Sequence, residues 1–470
     1  MKEFLYLRIA NTLSEQIKNE LLKTGDKLPS LRTICSEHGI SMNTAIQAYL
    51  ELESRGLITS RPQSGFYVSY QLSNLQVPAA SKPAEIHLNE SVEKLIGKVY
   101  YSLNDTTVTR LALGIPENEL LPIAKLNKSL LKATRNLTGS GTEYENVQGN
   151  LKLRRQIAQH SFSWNSKLTE DEIVSTAGTM NALSFALMAA TQKGDTIAVE
   201  SPVYFAILQL AKSLGLKVLE LPTHPVYGIE IDALKKILPK IKACLLVSNF
   251  NNPLGSCMPD GHKKEVVKIL SEKNIPLIED DLYGDVYFGK SRPVPCKFYD
   301  EAGTVLWCGS VSKTLAPGYR VGWAAPGKFK DKIIHQKLIH SVSSTTVTQE
   351  AIAGFLENGR YENHLRNLRK HLHSNSLQFT RAIAEYFPEG TKISHPQGGF
   401  MLWVELDKKI DTARLYDIAI KHKISIAPGR MFTLQNQFNN CMRLSYGQKW
   451  TDELDGKLKL LGKLISQELK

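Results

Sequence analysis

Lys313 stands in the run Cys308-Gly309-Ser310-Val311-Ser312-Lys313-Thr314-Leu315-Ala316-Pro317-Gly318-Tyr319-Arg320, so one amine, one hydroxyl and one guanidinium share a short stretch of chain. A desolvated lysine can form a Schiff base with an aldehyde, while a serine hydroxyl and an arginine fork can grip phosphate oxygens. The combination suits an aldehyde that carries a phosphate, which is how pyridoxal 5'-phosphate is held.

Other polar residues fall where short apolar runs end. Gly178, Thr179 and Met180 precede an apolar helical run, so a glycine turn there would offer backbone N–H groups and a helix N-terminus to phosphate. Tyr204, after Glu200-Ser201-Pro202-Val203, can stack on a flat pyridine ring, although a single tyrosine after a strand is usually packing. Asn252, before Pro253, can donate to a phenolate oxygen; its plainer reading is a turn. Asp280 follows the apolar Pro276-Leu277-Ile278 and precedes Tyr283 by three residues, and a buried carboxylate there can keep a pyridine nitrogen protonated. In this arrangement Tyr283 shares the ring oxygen with Asn252, and Ser310 and Arg320 take the phosphate, Arg320 by two-pronged hydrogen bonding. Lys313 would then form the resting imine and later shuttle the substrate proton.

These residues need a scaffold that gathers strand ends. Past residue 107, apolar runs at 196–200, 243–247, 276–279 and 305–308 alternate with helical stretches, which predicts a largely parallel sheet covered by helices. Open sheets of this kind bind ligands beyond the carboxyl ends of their strands. A chain of 470 residues, 42% hydrophobic and 22% charged, has room for two or three domains. No window approaches eighteen uninterrupted apolar residues, the start lacks an export signal, and six scattered cysteines suit reduced thiols rather than disulfides or a zinc site. We therefore expect a cytoplasmic protein with no metal and no membrane partner.

The first seventy residues carry a different pattern. Leu5, Ile9, Leu13, Ile17 and Leu21 recur every four residues along one helical face, and Gly25-Asp26 ends the segment. Ser30 can cap a second helix closed by Gly39, and Ser41 a third that ends at Gly56. In the third, Ala45, Ala48, Tyr49 and Leu52 face inward and Asn43, Thr44, Gln47 and Glu51 outward, where polar residues at a helix start can reach base edges. Residues 57–60 and 66–69 read as strands around the turn 62–65, forming a wing. The net charge of +12 is not concentrated here, since residues 1–70 hold eight Lys and Arg against seven Asp and Glu. DNA binding rests on pattern, not on charge. Residues 71–89, with Pro78 and Pro83, read as a linker that lets this module move, and Glu90 to Tyr101 as a helix packed on the next domain.

The segments 25–32, 41–56 and 61–68 resemble the GntR-type winged helix-turn-helix. That resemblance implies a third helix in the major groove, with Arg32, Asn43, Thr44, Gln47 and the wing near Gly65 touching bases and phosphates of a double-stranded operator. The ordered set Gly178, Tyr204, Asn252-Pro253, Asp280 to Tyr283, Ser310 to Arg320 and Arg443 resembles the fold-type I aminotransferases, from about residue 107 to the C-terminus. It implies that Arg443 clamps an amino acid's carboxylate, that Gly114 lies at the substrate side, and that Tyr144 reaches the phosphate of a neighbouring subunit, hence a homodimer. Thr179-Met180-Asn181 departs from the serine- and glutamine-rich phosphate turn of the relatives.

Joined, the two halves resemble the MocR family of bacterial transcription regulators. The fold expected is α/β: a winged helix-turn-helix at 1–70, a linker and docking segment at 71–106, a large cofactor domain at 107–335 and a small C-terminal subdomain at 336–470. The function implied is a DNA-binding regulator that senses pyridoxal 5'-phosphate or an amino compound through Lys313. The alternative is a working aminotransferase with an accessory DNA module.

Overall fold

A computed structural model describes residues 4–19, 21–61, 64–69, 75–83, 91–102, 105–357 and 359–469. The N-terminal head is three helices and a wing: α1 (Leu5–Lys18), α2 (Leu31–His38), α3 (Met42–Ser54), β1 (Ile58–Arg61) and β2 (Gly65–Val68). The caps act where the sequence put them. Ser30 Oγ accepts from Thr33 N at 3.1 Å, Ser41 Oγ accepts from Thr44 N at 3.2 Å, and Gly39 closes α2 in the left-handed region. Ala45, Ala48, Tyr49 and Leu52 are fully buried against Ile9, Leu13 and Ile17. Leu5 and Leu21, read on the same face as these, are exposed, because α1 starts only at Leu5 and stops at Lys18, before a fifth turn forms. The strands of the wing pair antiparallel from Ile58↔Val68 to Arg61↔Gly65; Pro62 and Gln63 of the turn lie outside the described residues.

The body is built on an eight-stranded sheet. Its five inner strands, in spatial order Val305–Ser310, Leu277–Asp280, Ala243–Leu246, Thr196–Ser201 and Lys217–His224, are parallel. Gly322–Ala325 and Val174–Thr176 extend one edge antiparallel, and Gly228–Ile229 the other. Four of these, Val305–Ser310, Leu277–Asp280, Ala243–Leu246 and Thr196–Ser201, are almost wholly buried, as expected when helices cover both faces, while Lys217–His224 near the edge is only partly so. A second, antiparallel sheet orders Lys392–Ile393, Met401–Glu405, Cys441–Ser445 and Ala427–Pro428. The helix Arg360–Tyr386 runs 27 residues, about 40 Å at 1.5 Å per residue, between the two layers.

Two features bear on how the chain is organised. The boundary drawn between 335 and 336 cuts the helix Lys330–Ser341, which packs on the large sheet's helix Thr179–Ala190; the next helix, Thr346–Leu356, also packs on the body. The linker is not free along its length. Residues 70–74, 84–90 and 103–104 lie outside the described residues, but 75–83 are laid on the body: Ile393 N donates to Gln76 O at 3.0 Å, and buried Ser81 accepts from Thr223 N through its hydroxyl at 2.9 Å. The segment is pinned because its backbone groups find partners there. The expected helix beyond it is α4 (Ser91–Ser102), and Tyr416 Oη donates to Lys98 O within it at 3.0 Å. Among the described residues no helix is long and apolar enough to cross a membrane.

Candidate functional site

The carboxyl ends of the parallel strands open onto a cavity of about 200 Å³. It is lined by Thr179, Met180 and Tyr204, by Asn252, Asp280 and Tyr283, and by Ser310, Lys313 and Arg320. Each follows or ends a strand of the sheet, so the topology alone converges residues separated by 140 positions of chain.

The anion end is set by close approach. Gly178 caps the helix Thr179–Ala190 with φ 91° and ψ 171°, a conformation reached only by glycine. A Cβ on it would sit 2.3 Å from Arg320 Nη2. Arg320, itself left-handed at φ 53°, donates from Nη2 to Ala177 O at 3.0 Å and from Nη1 to Ser312 Oγ at 3.3 Å. Its exposed guanidinium therefore lies over the N-terminus of that helix, where the amides of Thr179 and Met180 have no partner within the helix while that of Asn181 donates to Gly178 O at 3.1 Å. Thr179 Oγ1 is buried and makes no hydrogen bond. An orphaned hydroxyl, a guanidinium and two helix-start amides together form a donor set suited to an anion. The departure at Thr179-Met180-Asn181 keeps this turn intact, since Asn181 Oδ1 accepts from Ala177 N at 3.0 Å.

At the opposite end Asp280 is buried, and burial followed by the neighbouring Asp281 pushes its carboxyl up to about 7. Between the two ends lies Lys313. Its Nζ donates to the Gly114 carbonyl, and desolvation, with Arg443 and Arg320 adding to it against Asp280, lowers the amine to about 8. Asn252 Nδ2 donates to Tyr283 Oη at 3.3 Å, and Asn252 Oδ1 accepts from Arg443 Nη1 at 2.9 Å. Arg443 is buried, donates from Nη2 to Ala112 O, lies 5.1 Å over the Phe432 ring, and has a buried Nε with no partner. Arg443 is therefore a buried residue of its strand and not a solvated one. Gly114 lies close to the site: a Cβ there would meet Met401 Cε at 2.7 Å and Arg443 Nη1 at 3.9 Å, so the Met401 methyl would have to move aside.

Tyr144 lies outside the cavity, 87% exposed, so this chain alone does not bring it to the site. Two cavity neighbours escaped the sequence reading. Ser312 lines the cavity as the acceptor for Arg320, although it sat in the quoted run between Ser310 and Lys313. Tyr100, from α4, puts its hydroxyl 3.4 Å from that of Tyr204; only the fold reveals that the docking helix reaches the site.

In the head, Arg32, Asn43, Gln47 and Gly65 are exposed and Thr44 is half-buried, its hydroxyl 2.8 Å from Ser41 Oγ. All lie free of the body's contacts with α3, which run through the other end of the helix near Gly56. Two cations the site reading left out stand at the wing: Arg61 of β1 lies 4.3 Å and Lys27, from the segment before α2, 5.9 Å from the centre of the half-buried Tyr67 ring.

The model of the aminotransferase class I and II family matches residues 106–455, and that of the bacterial regulatory proteins of the gntR family matches residues 5–68. Two Escherichia coli (strain K12) proteins described as uncharacterized HTH-type transcriptional regulators, YjiR and YdcR, are 35% and 36% identical over 467 residues, covering 99% of each chain. Among solved structures, a Pyrococcus horikoshii kynurenine aminotransferase in complex with PMP superposes with a TM-score of 0.74 at 26% identity, over 82% of this chain and 96% of its own.

Proposed function

The chain belongs to the GntR-type helix-turn-helix regulators that carry an aminotransferase class I and II body, and on that premise we propose that it binds operator DNA under the control of pyridoxal 5'-phosphate and an amino compound held at Lys313. One observation carries the reading: a single lysine with a depressed amine stands between an anion cradle and a buried carboxylate in one cavity. When bound, pyridoxal 5'-phosphate supplies an aldehyde carbon that condenses with amines and a ring that draws electrons from it.

The chain's own groups then have separate tasks. Arg320, Ser310, Thr179 and the amides after Gly178 take the phosphate, which gives the orphaned Thr179 hydroxyl its partner. Asp280, its carboxyl raised to about 7 by burial and by Asp281, would hold a basic ring nitrogen in its protonated form by pairing with it. Asn252 and Tyr283 would hold the ring oxygen, and Tyr204 would pack against the ring. An amine lowered to about 8 leaves Lys313 a larger neutral fraction at physiological pH, as a nucleophile and proton carrier needs. Arg443 offers its free Nε to the carboxylate of an amino compound, and Gly114 leaves room beside it. In the head, the start of α3 enters the major groove with Arg32, Asn43, Thr44 and Gln47, while the wing at Gly65 lies on the backbone.

The body acts as a homodimer in this proposal. Tyr144 reaches across to the phosphate of the second copy, and the exposed Leu338, Ile339 and Val342 supply apolar surface for that contact. Six free cysteines support a reducing, cytoplasmic setting.

A second reading, an aminotransferase with an accessory DNA module, is favoured by the completeness of the cavity, which keeps amine, carboxylate partner and arginine clamp together. The readings separate on one experiment. With an amino donor and a 2-oxo acid, many turnovers per site favour the enzyme; one equivalent of bound amino compound together with a changed operator affinity favours the regulator. Lys313→Ala must abolish lysine labelling by borohydride in the presence of the cofactor, and label surviving elsewhere in the cavity would reject Lys313 as the anchor.

A further inference from the structure

Behind the cavity wall lies a buried network that the proposed chemistry does not use. Asp281 accepts from Trp307 Nε1 at 2.8 Å and from Arg292 Nη2 at 2.6 Å; Arg292 Nε donates to Asp285 Oδ1 at 2.8 Å. Asp285 Oδ2 lies 3.1 Å from His160 Nε2 and accepts from Tyr361 Oη at 3.4 Å. Tyr361 Oη also lies 2.7 Å from Thr314 Oγ1, and one turn further His364 Nε2 donates to the Thr314 carbonyl at 2.6 Å. The network thus begins beside Asp280 and ends on the residue after Lys313.

Tyr361 and His364 both belong to the first turns of the helix Arg360–Tyr386. Further along the same helix, Asn375 Nδ2 donates at 3.0 Å to the carbonyl of Tyr446, three residues past Arg443. Leu377 then meets the head: a Cβ on Gly56 would sit 2.7 Å from Leu377 Cδ1. One rigid element therefore touches the lysine loop, the strand of the carboxylate arginine and the DNA-reading module.

We infer that the helix Arg360–Tyr386 transmits the state of Lys313 to the head, and that Tyr361, with His364, is the positioning residue that ties it to the lysine loop. The argument is mechanical. Thr314 is held through both its side chain and its backbone, so a shift of the 313–314 backbone when the amine leaves the Gly114 carbonyl is imposed on the helix. Close-packed interiors move as blocks and do not absorb such a shift locally. Tyr361, His364 and Leu368 are buried, so the helix has no slack at that end.

This inference rests on the proposed role of Lys313, and the test separates the two. The full-length protein loaded with pyridoxal 5'-phosphate is titrated with aminooxyacetate, whose amine replaces that of Lys313 and whose carboxylate suits Arg443. Operator affinity, measured on DNA selected from random fragments, is compared with and without the probe. Coupling is reciprocal, so the factor by which the probe changes DNA affinity equals the factor by which DNA changes probe affinity. In Tyr361→Phe, cofactor content and probe-free DNA affinity stay at wild-type values. Both factors fall toward 1, and the rate at which the probe consumes the lysine-bound absorption band changes by about fivefold, the worth of one neutral hydrogen bond. In Leu377→Ala the band and its rate are unmoved and the factors again fall. Either variant keeping the wild-type factor overturns the assignment. A wild-type factor of 1 overturns instead the sensing role of Lys313, and this inference with it.

Discussion

Replacing Gly178 by alanine tests how the anion end of the cavity is made. The residue sits at φ 91° and ψ 171°, where a side chain costs about 1–3 kcal/mol of strain. The new Cβ would fall 2.3 Å from Arg320 Nη2, 2.8 Å from Cζ and 3.1 Å from Nη1, so the whole guanidinium must leave its place over the helix N-terminus. A hydrogen bond to a charged group is worth about 1.5–3 kcal/mol, and about 1.4 kcal/mol is tenfold in affinity. Gly178→Ala should therefore weaken pyridoxal 5'-phosphate binding by about 10- to 150-fold, through Arg320. The assay is titration of the apoprotein followed by absorbance, with thermal unfolding run beside it for the strain. A double-mutant cycle with Arg320→Ala decides the cause, because residues in contact are not additive. In the Arg320→Ala background the Gly178 change should cost almost nothing more in affinity. Full additivity, or affinity untouched by Gly178→Ala, would refute the idea that glycine is there to admit the guanidinium.

Lys313 gives a pH signature in the apoprotein. Its amine is near 8 in the fold against an ordinary 10.5, so between those values the unfolded chain binds the extra proton and stability rises with pH. Lys313→Met should be more stable than the parent below pH 8, with the gap in Tm narrowing from about pH 8 toward 10.5; a gap constant with pH would show an unperturbed amine. In the head, Gln47→Ala should cost about 1–3 kcal/mol against the preferred base and little against other sequences, while Arg61→Ala should weaken all sequences alike and lower the salt slope by about 1. Anisotropy with paired cognate and scrambled duplexes reads both, and equal losses for Gln47→Ala would remove it from base reading. Tyr49→Phe takes the hydroxyl that donates to Pro29 O at 2.7 Å and should destabilise the isolated melting of the head by about 1 kcal/mol, with cofactor binding unchanged.

Much of the site was legible because its residues announce themselves locally. Gly178 before an apolar helix, Asp280 at the end of an apolar strand and the spacing of Ser310, Lys313 and Arg320 all survive as neighbours in space. Helix caps were legible for the same reason: Ser30 and Ser41 bond within three residues of themselves. What escaped depends on contacts of long sequence separation. Nothing near Tyr100 in the chain signals that its hydroxyl meets Tyr204, and nothing near Tyr361 signals Thr314 or Asp285. Leu5 and Leu21 show the limit of periodicity, which marks a face but not where the helix ends. The proline-bearing segment at 75–83 reads as free chain by composition, and only its partners Thr223 and Ile393 show it laid down on the body.

That laid-down segment limits how far the head can travel. From Ser69, the last residue of the wing, to Gln76, whose carbonyl is already held by Ile393 N, there are seven peptide steps, and a chain spans at most about 3.6 Å per step, or about 25 Å in all. A leash of that length cannot let one head hunt for a half-site on its own. The separation of paired recognition sequences on DNA is then dictated by where two bodies hold their tether points, and lengthening the tether just before Gln76 should broaden the range of tolerated spacings.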